Sequence, residues 1–286
     1  MHMLNLYMDS RNSIPNPRDL VFCKSLSDNF KLMKQKVEGP KDKLYVVLDD
    51  FDLCIAIKKD GYIPKSALHL IKCVNQFDLA KKRVLDLGCG ETGILAHYAF
   101  ARKAKQVVGV DIDPSAIAHV KKASVKSSRI RWVVSDLFYN LGNCLFDIIL
   151  TNPPQLPMSD YNRMELADWH DVSGPTGREL ILRILKEGHR NLDHGGEIYM
   201  LIFDFLGITQ SFNSMPGLAE ISKELGYSCV VLQNFPVLIR VGGKIEKNLA
   251  WIRQIYPCYT FQQSELGLHY NISIVRFKLQ MSQCQV

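Results

Sequence analysis

The chain has 286 residues, enough for one large domain with a sizeable core or one domain with a smaller appendage. Hydrophobic residues make up 47% and charged residues 22%, the balance of an ordinary globular chain rather than a disordered or fibrous one. The net charge of +6 permits an acidic partner without demanding one, and the eight cysteines (Cys23, Cys54, Cys73, Cys89, Cys144, Cys229, Cys258 and Cys284) contain no CxxC pair, which speaks against a disulfide framework or a zinc site.

At the N-terminus, 1–10 lacks the basic n-region and long apolar run of a signal peptide, and no apolar stretch reaches the length of a membrane span. A cytoplasmic protein is the expectation. Residues 1–65 contain Pro15, Pro17, Pro40, a basic run over 31–43 and a short strand-like run over 44–48. They read as an N-terminal appendage, a candidate substrate-selecting cap, with the main domain over 66–286.

From Val84 onward, short β-branched runs alternate with helical periodicity. Strands are expected over 83–87, 106–110, 130–134 and 146–151. Between the first two, 93–103 has helical spacing. Asp113 followed by Pro114 reads as an N-cap and a proline at the first helical position, opening a helix over 114–124. A helix over 177–191 carries Leu180, Ile181, Ile184 and Leu185 on one face. A strand over 197–203 follows an expected turn at His194-Gly195-Gly196. The helix 218–225 closes at Gly226, a natural C-cap. Strands over 228–232 and 272–277 come last, with a partly helical segment over 236–257 between them. Apolar strands separated by helices imply a parallel sheet covered on both faces, an α/β fold of the Rossmann-like, doubly wound kind.

Gly88-Cys-Gly-Glu-Thr-Gly93 matches GxGxxG after a strand and before a helix. Glycines there permit a tight turn and close approach of a ligand to the backbone. Glycine also ends strands for structural reasons alone. Asp111 strengthens the ligand reading, because it ends the next strand where a carboxylate can accept both hydroxyls of a ribose. Its alternative role is a helix cap, which Asp113 fills better.

Up to this point a nicotinamide enzyme fits as well. Asp86 tilts the reading away from it. A carboxylate two residues before the first glycine repels a pyrophosphate and attracts a cation. S-Adenosylmethionine carries an ammonium and a sulfonium and no phosphate. Ser135-Asp136-Leu137 then places an acceptor and an apolar residue where an adenine could be gripped, although Asp136 could also be a loop N-cap.

Asn152-Pro153-Pro154-Gln155 is the most specific motif. Two prolines fix φ, remove two backbone donors and push the preceding residues to extended geometry. The expected result is a rigid turn at a strand's carboxyl end. There the Asn152 side chain and the Pro153 carbonyl can accept hydrogen bonds from a nitrogen nucleophile. Holding that nitrogen in line with a methyl group can supply about 7–11 kcal/mol of the barrier. The plain alternative is a proline-rich strand exit.

Together, these motifs resemble the class I S-adenosylmethionine-dependent methyltransferases of the Asn-Pro-Pro type. Gly174-Pro-Thr-Gly-Arg178 and Leu192-Asp-His-Gly-Gly-Glu-Ile198 are similar to the branch of glutamine N5-methyltransferases and small-domain methyltransferases, as is the short segment 61–66. The resemblance implies a mostly parallel, seven-stranded sheet. It implies that Asp86, Gly88 and Gly90 meet the methionine half of S-adenosylmethionine, that Asp111 meets the ribose and Asp136 with Leu137 the adenine, and that Gly93 and Ile112 belong to the same cofactor site. It also implies that Asn152 and Pro153 hold the nitrogen to be methylated, and it includes no metal.

One position departs from the pattern. Family members usually carry an aromatic residue after the prolines, where this chain has Gln155. Stacking of a base on an aromatic ring is worth about 1–3 kcal/mol, so its loss weakens the nucleic-acid case. Glutamine offers two donors and an acceptor, which suits a polar small molecule or a peptide or protein side chain. Tyr62, Tyr161 or Trp169 could supply a ring from elsewhere. The loop 156–172 follows the motif and is expected to wall the substrate site, with His170 a candidate general base or simply a solvated histidine. The basic runs at 102–105 and 121–131 read as solvated surface. The expected activity is N-methylation of an amino or amide nitrogen on a small molecule or a peptide or protein side chain. The alternatives are methylation of an exocyclic base nitrogen and a non-catalytic cofactor-binding scaffold.

Overall fold

The computed structural model describes residues 20–27, 30–35, 43–48, 53–57, 66–159, 171–212 and 215–280. Two compact units divide the chain, Met1–Leu150 and Thr151–Val286. Strands β5 to β12 make up one large, eight-stranded sheet. The architecture is therefore the expected mixed α/β one, with more antiparallel strand than the sequence pattern announced.

In the first unit, β1 (Leu20–Ser27), β2 (Phe30–Gln35), β3 (Lys43–Leu48) and β4 (Leu53–Ile57) form an antiparallel four-stranded sheet in sequence order. Only 44–48 was legible there as strand. Helix α1 (Ala67–Val74) follows and buries Leu68, Leu70, Ile71 and Val74.

Beyond α1, the alternation begins: β5 (Arg83–Leu87), α2 (Ile94–Ala101), β6 (Gln106–Asp111), α3 (Pro114–Ala123), β7 (Ile130–Val134) and β8 (Phe146–Thr151). Each strand is a short apolar run that ends at a polar or glycine position (Gly88, Asp111, Ser135 and Asn152), which is why its limits fall within a residue of those read from the pattern. Asp113 caps α3 as its position foretold, accepting from the Ser115 N–H at 2.7 Å, with Pro114 at the first helical position.

The strand order is β8-β5-β6-β7, with β5, β6 and β7 mutually parallel. The chain winds outward from β5 to β7 and then returns to the other side of β5. That reversal is a topological switch point, the place where open α/β sheets bind ligands beyond the strands' carboxyl ends. At the opposite ends, Arg83 of β5 ties to Asp147 of β8 through its N–H at 2.7 Å and its guanidinium at 3.1 Å. Burial by itself raises the Asp147 carboxyl's pKa, but the Arg83 hydrogen bonds and the Arg83 and Lys82 charges together hold it below its ordinary range.

The basic runs lie where the solvated reading put them: Arg102, Lys103, Lys105, Lys121, Lys122 and Lys126 are exposed. Arg129 has a structural duty as well, with its guanidinium over the Phe100 ring and a bond to the Ala104 carbonyl.

The second unit contains α4 (Glu179–Gly188), β9 (Leu192–Phe203), α5 (Leu218–Glu224), β10 (Tyr227–Leu238), α6 (Lys244–Lys247), α7 (Leu249–Ile255), β11 (Gln262–Ser264) and β12 (Gly267–Leu279). Strand β12 lies antiparallel between β9 and β10, and β11 turns back on it. The expected turn at 194–196 lies inside β9, with Gly195 at φ +70° relieving the backbone within the strand. Pro236 sits inside β10, tolerated because β10 pairs on one side only, with β12. Gly226 does close α5, at φ +83° with its N–H on the Lys223 carbonyl at 3.0 Å. No helix among the described residues is long and apolar enough to cross a membrane.

Candidate active site

The turn after β5 is built from backbone. The N–H groups of Gly88 and Cys89 both donate to the Val110 carbonyl at 2.8 Å, which folds the chain back over the end of β6. Gly88 and Gly90 take φ of +77° and +58°, where an L side chain is strained. A methyl group added at either would meet no atom within 4 Å. These two glycines are needed for backbone shape and leave open room beside it, which is the form of a ligand cradle.

Gly93 differs. It has φ +52° and precedes α2, but a methyl there would collide with the Trp132 ring and with Val120. Gly109, on β6, is packed against the same ring. The structure thus gives the last glycine of the motif a packing duty that spacing alone could not reveal.

Asp86 is 1% exposed. Its Oδ2 accepts from the Ala96 N–H in the first turn of α2 at 2.8 Å, while its Oδ1 is buried with no hydrogen-bond partner. Burial foremost, and the neighbouring Asp111 charge, push its pKa up to about 7. A buried carboxylate oxygen without a donor calls for one. An ammonium group supplies charge and hydrogen together.

Asp111 ends β6 with both carboxylate oxygens engaged. Oδ2 accepts from the Gly90 N–H at 2.8 Å and Oδ1 from the Asp113 N–H at 3.0 Å. Each oxygen keeps a further lone pair for a ribose hydroxyl. The neighbouring Ile112 is 66% exposed, an apolar surface in the position expected to line the cofactor.

After β7, Ser135 donates its N–H to the Asp111 carbonyl at 2.9 Å and accepts from Asn140 N–H on its hydroxyl, fixing this loop to the end of β6. Asp136 is exposed, and Leu137 is nearly buried in the left-handed region at φ +45°. Non-glycine residues held there are found mostly where the surroundings over-determine them, as at ligand sites. The chain's residues thus fit S-adenosylmethionine on two counts: the partnerless Asp86 oxygen and the open space at Gly88 and Gly90.

In the second unit, Asn152 and Pro154 are half-buried and Pro153 is buried. The prolines offer no N–H, so the next donors anchor the turn: Gln155 and Leu156 both give their N–H to the Asp171 carbonyl, at 3.0 and 2.7 Å. Leu156 also pairs with Val172 in an isolated bridge. Tyr161, Trp169 and His170 lie outside the described residues, as do Tyr62 and 61–65.

Gln155 corrects the sequence reading. It is 2% exposed and turned inward. Its Nε2 donates to the Pro153 carbonyl at 3.2 Å and the Leu201 carbonyl at 2.9 Å, and its Oε1 accepts from the Phe203 N–H at 2.7 Å. The two donors and the acceptor expected to serve a substrate are spent on backbone.

The Gly174–Arg178 motif supports this turn, together with residues that the pattern did not single out. Gly177, at φ +77°, packs so closely that a methyl would lie 2.5 Å from the Gln155 carbonyl and 2.9 Å from Pro157 N. The 174–177 segment is held in turn by α7 and its flanks. Trp251 Nε1 donates to the Pro175 carbonyl at 2.9 Å, Tyr256 donates its hydroxyl to the Thr176 carbonyl at 2.5 Å, and Lys244 pairs with Asp171. Thr176 also donates its N–H and hydroxyl to Glu179 at 2.9 Å, fastening the start of α4.

Comparison with known proteins adds to this geometry. Residues 63–166 match the family model described as the methyltransferase small domain. A Methanocaldococcus jannaschii protein, provisionally named a protein N5-glutamine methyltransferase, is 34% identical over 156 residues, which cover 53% of this chain and 78% of that one. A release factor glutamine methyltransferase of Rhodopirellula baltica is 28% identical over 187 residues, 59% of this chain and 63% of its own. A ribosomal protein uL3 glutamine methyltransferase of Francisella tularensis is 29% identical over 153 residues, 51% of this chain and 46% of its own. The nicotinamide alternative falls with these matches. The chain is an S-adenosylmethionine-dependent N-methyltransferase and belongs to the Asn-Pro-Pro, small-domain family that includes the protein N5-glutamine methyltransferases.

Proposed function

We propose that the chain methylates the side-chain amide nitrogen of a glutamine in a protein, and does so in the cytoplasm. The observation that carries this reading is the inward turn of Gln155 beside Asn152 and Pro153. The turn then offers hydrogen-bonding edges at Asn152 and Pro153 and no ring at the position after the prolines. An amide is recognised by its edges, and both of its hydrogens find acceptors there. The names of the three relatives point to the same acceptor.

When bound, S-adenosylmethionine supplies an electrophilic methyl group on a sulfonium. Asp86 holds the ammonium by charge, Gly88 and Gly90 admit the methionine half, and Asp111 accepts from the ribose hydroxyls. Asp136, Leu137 and Ile112 hold the adenine. Gly93 serves α2 packing. Asn152 and Pro153 accept the N–H groups of the amide, with Pro154 stiffening the turn. An amide lone pair is delocalised and weakly nucleophilic, so two acceptors on its hydrogens both orient the nitrogen and raise its electron density. With the donor bound, transfer to that nitrogen would form the N–C bond as the S–C electron pair returned to sulfur, and the nitrogen would give up its surplus proton to water.

The test is methyl transfer from radiolabelled S-adenosylmethionine in a cell extract, with the protein fraction then hydrolysed in acid. An N-methylated glutamine amide hydrolyses to glutamate and volatile labelled methylamine. Label that stays on lysine or arginine, on a nucleobase or on a small molecule contradicts the proposal, and unlabelled extract with intact donor binding favours the scaffold.

A further inference from the structure

Pro153 and Pro154 bring stiffness to the turn at a cost, because neither has an N–H with which to hold its neighbours. A proline-locked carbonyl has a fixed φ on its own residue but no partner of its own making. In this chain the missing donor comes from one side chain. Gln155 reaches back to the Pro153 carbonyl at 3.2 Å and, with its second hydrogen, to the Leu201 carbonyl on β9 at 2.9 Å. Its oxygen takes the Phe203 N–H at 2.7 Å. A single amide plane is therefore pinned at three points, two of them on β9, and transmits that rigidity to Pro153.

A carbonyl oxygen has two lone pairs. Gln155 occupies one, which leaves the other with a defined direction. We infer that Gln155 is a positioning residue of the methyl-transfer reaction: it aims the Pro153 carbonyl, tied to the end of β9, at the N–H of the nitrogen to be methylated. The inference rests on the reading of Asn152 and Pro153 given above and gives the residue after the prolines a duty other than stacking.

The chemistry is selective. Methionine has a similar length and no donor. Glutamate, when ionised, has acceptors only and faces two carbonyls. Once protonated, it has one O–H to donate and one oxygen for the Phe203 N–H, so it regains part of the glutamine pattern. Burial among carbonyls raises such a carboxyl's pKa into a usable range.

The experiment compares the full chain with Gln155→Met and Gln155→Glu, reading label transfer into the extract protein fraction at saturating donor, per folded molecule by circular dichroism. Gln155→Met is expected to lower turnover about tenfold or more with the KM for S-adenosylmethionine within about twofold of native. The ratio of Gln155→Glu turnover to native is expected to rise several-fold from about pH 8 to about pH 6. A constant ratio across pH, or native turnover per folded molecule in Gln155→Met, overturns the inference. If those two variants do not fold, Gln155→Asn keeps a neutral amide but is too short to reach Pro153. Reduced turnover in that variant supports the inference and native turnover overturns it. Asn152→Ala, run alongside, separates the two readings. Native turnover there removes the reading of the turn itself, whereas its loss together with unaffected Gln155 variants removes only the positioning role.

Discussion

Asp111 Oδ2 accepts a hydrogen bond from the Gly90 N–H at 2.8 Å, across 21 residues of chain. One carboxylate thus shapes the glycine turn after β5 and presents its remaining lone pairs beside that turn. Its other oxygen, on the Asp113 N–H, secures the entry to α3. The residue expected to grip the ribose also builds the loop proposed to admit the rest of the donor, so on that reading donor affinity and loop order are coupled at one side chain.

The glycines of the motif divide into two kinds. Gly90→Ala places a side chain in the left-handed region, which costs about 1–2 kcal/mol, but meets open space. Gly93→Ala adds a collision with Trp132 and Val120, and overpacking of this kind costs about 1–3 kcal/mol more. Thermal unfolding is expected to show the larger loss in Gly93→Ala. Calorimetry with S-adenosylhomocysteine is expected to show the larger loss of affinity per unit of stability in Gly90→Ala. The reverse order contradicts the division.

Asp86 is expected to make stability and donor binding respond to pH in opposite senses. Its pKa is raised from 3.8 to about 7 in the folded chain. Between those values the folded state holds a proton that the unfolded state releases, so the Asp86 contribution to stability is full below about pH 4 and is lost as pH rises through about 7. Donor affinity moves the other way, because the ionised carboxylate attracts the ammonium, and it is expected to climb toward about pH 7 and then level off. Asp86→Asn should abolish both slopes. Melting curves and S-adenosylhomocysteine titrations at several pH values check this, and a variant that keeps either slope assigns that slope to another group.

The strands at the centre of the chain were legible because each is a short, mostly apolar run with clear punctuation, as in Val84–Leu87 before Gly88. Other features were hidden for physical reasons. Glutamine is usually exposed, so nothing in the motif announced that Gln155 is buried, and only the carbonyls of Pro153 and Leu201 explain it. The pair Gly195-Gly196 resembles a turn, yet β9 runs through it. Pro236 reads as a strand breaker, and β10 includes it because an edge strand needs no donor on its open side. The lysines threaded through β1, β2 and β3 obscure the apolar alternation by which a strand is recognised. Asp86, Gly88, Gly90 and Asp111 lie at or beside the carboxyl ends of β5 and β6, the places in the fold that the pattern gave them, whereas the packing of Gly93 against Trp132 is a contact that no spacing rule contains.

The segment 236–257, read from the sequence as partly helical, contains the side chains that hold 175–176 beside the Asn-Pro-Pro turn. Removing the Tyr256 hydroxyl frees the Thr176 carbonyl, and removing the Trp251 indole frees that of Pro175. Each bond is worth about 1 kcal/mol. Tyr256→Phe and Trp251→Phe are expected to raise the concentration of acceptor needed for half-maximal transfer several-fold. Affinity for S-adenosylhomocysteine should stay within about twofold of native, since an unmade hydrogen bond of this size acts on the loop it held. Loss of donor affinity in equal measure would refute the assignment of this segment to the acceptor side.

The account rests on a division of labour between donor-holding and nitrogen-holding residues, and one paired measurement addresses it. Turnover and S-adenosylhomocysteine affinity are determined for Asn152→Ala and for Asp111→Ala under the same conditions. The prediction is a large loss of turnover with nearly native affinity in Asn152→Ala, and a loss of affinity that exceeds the loss of saturated turnover in Asp111→Ala. Equal losses of both quantities in the two variants would contradict it.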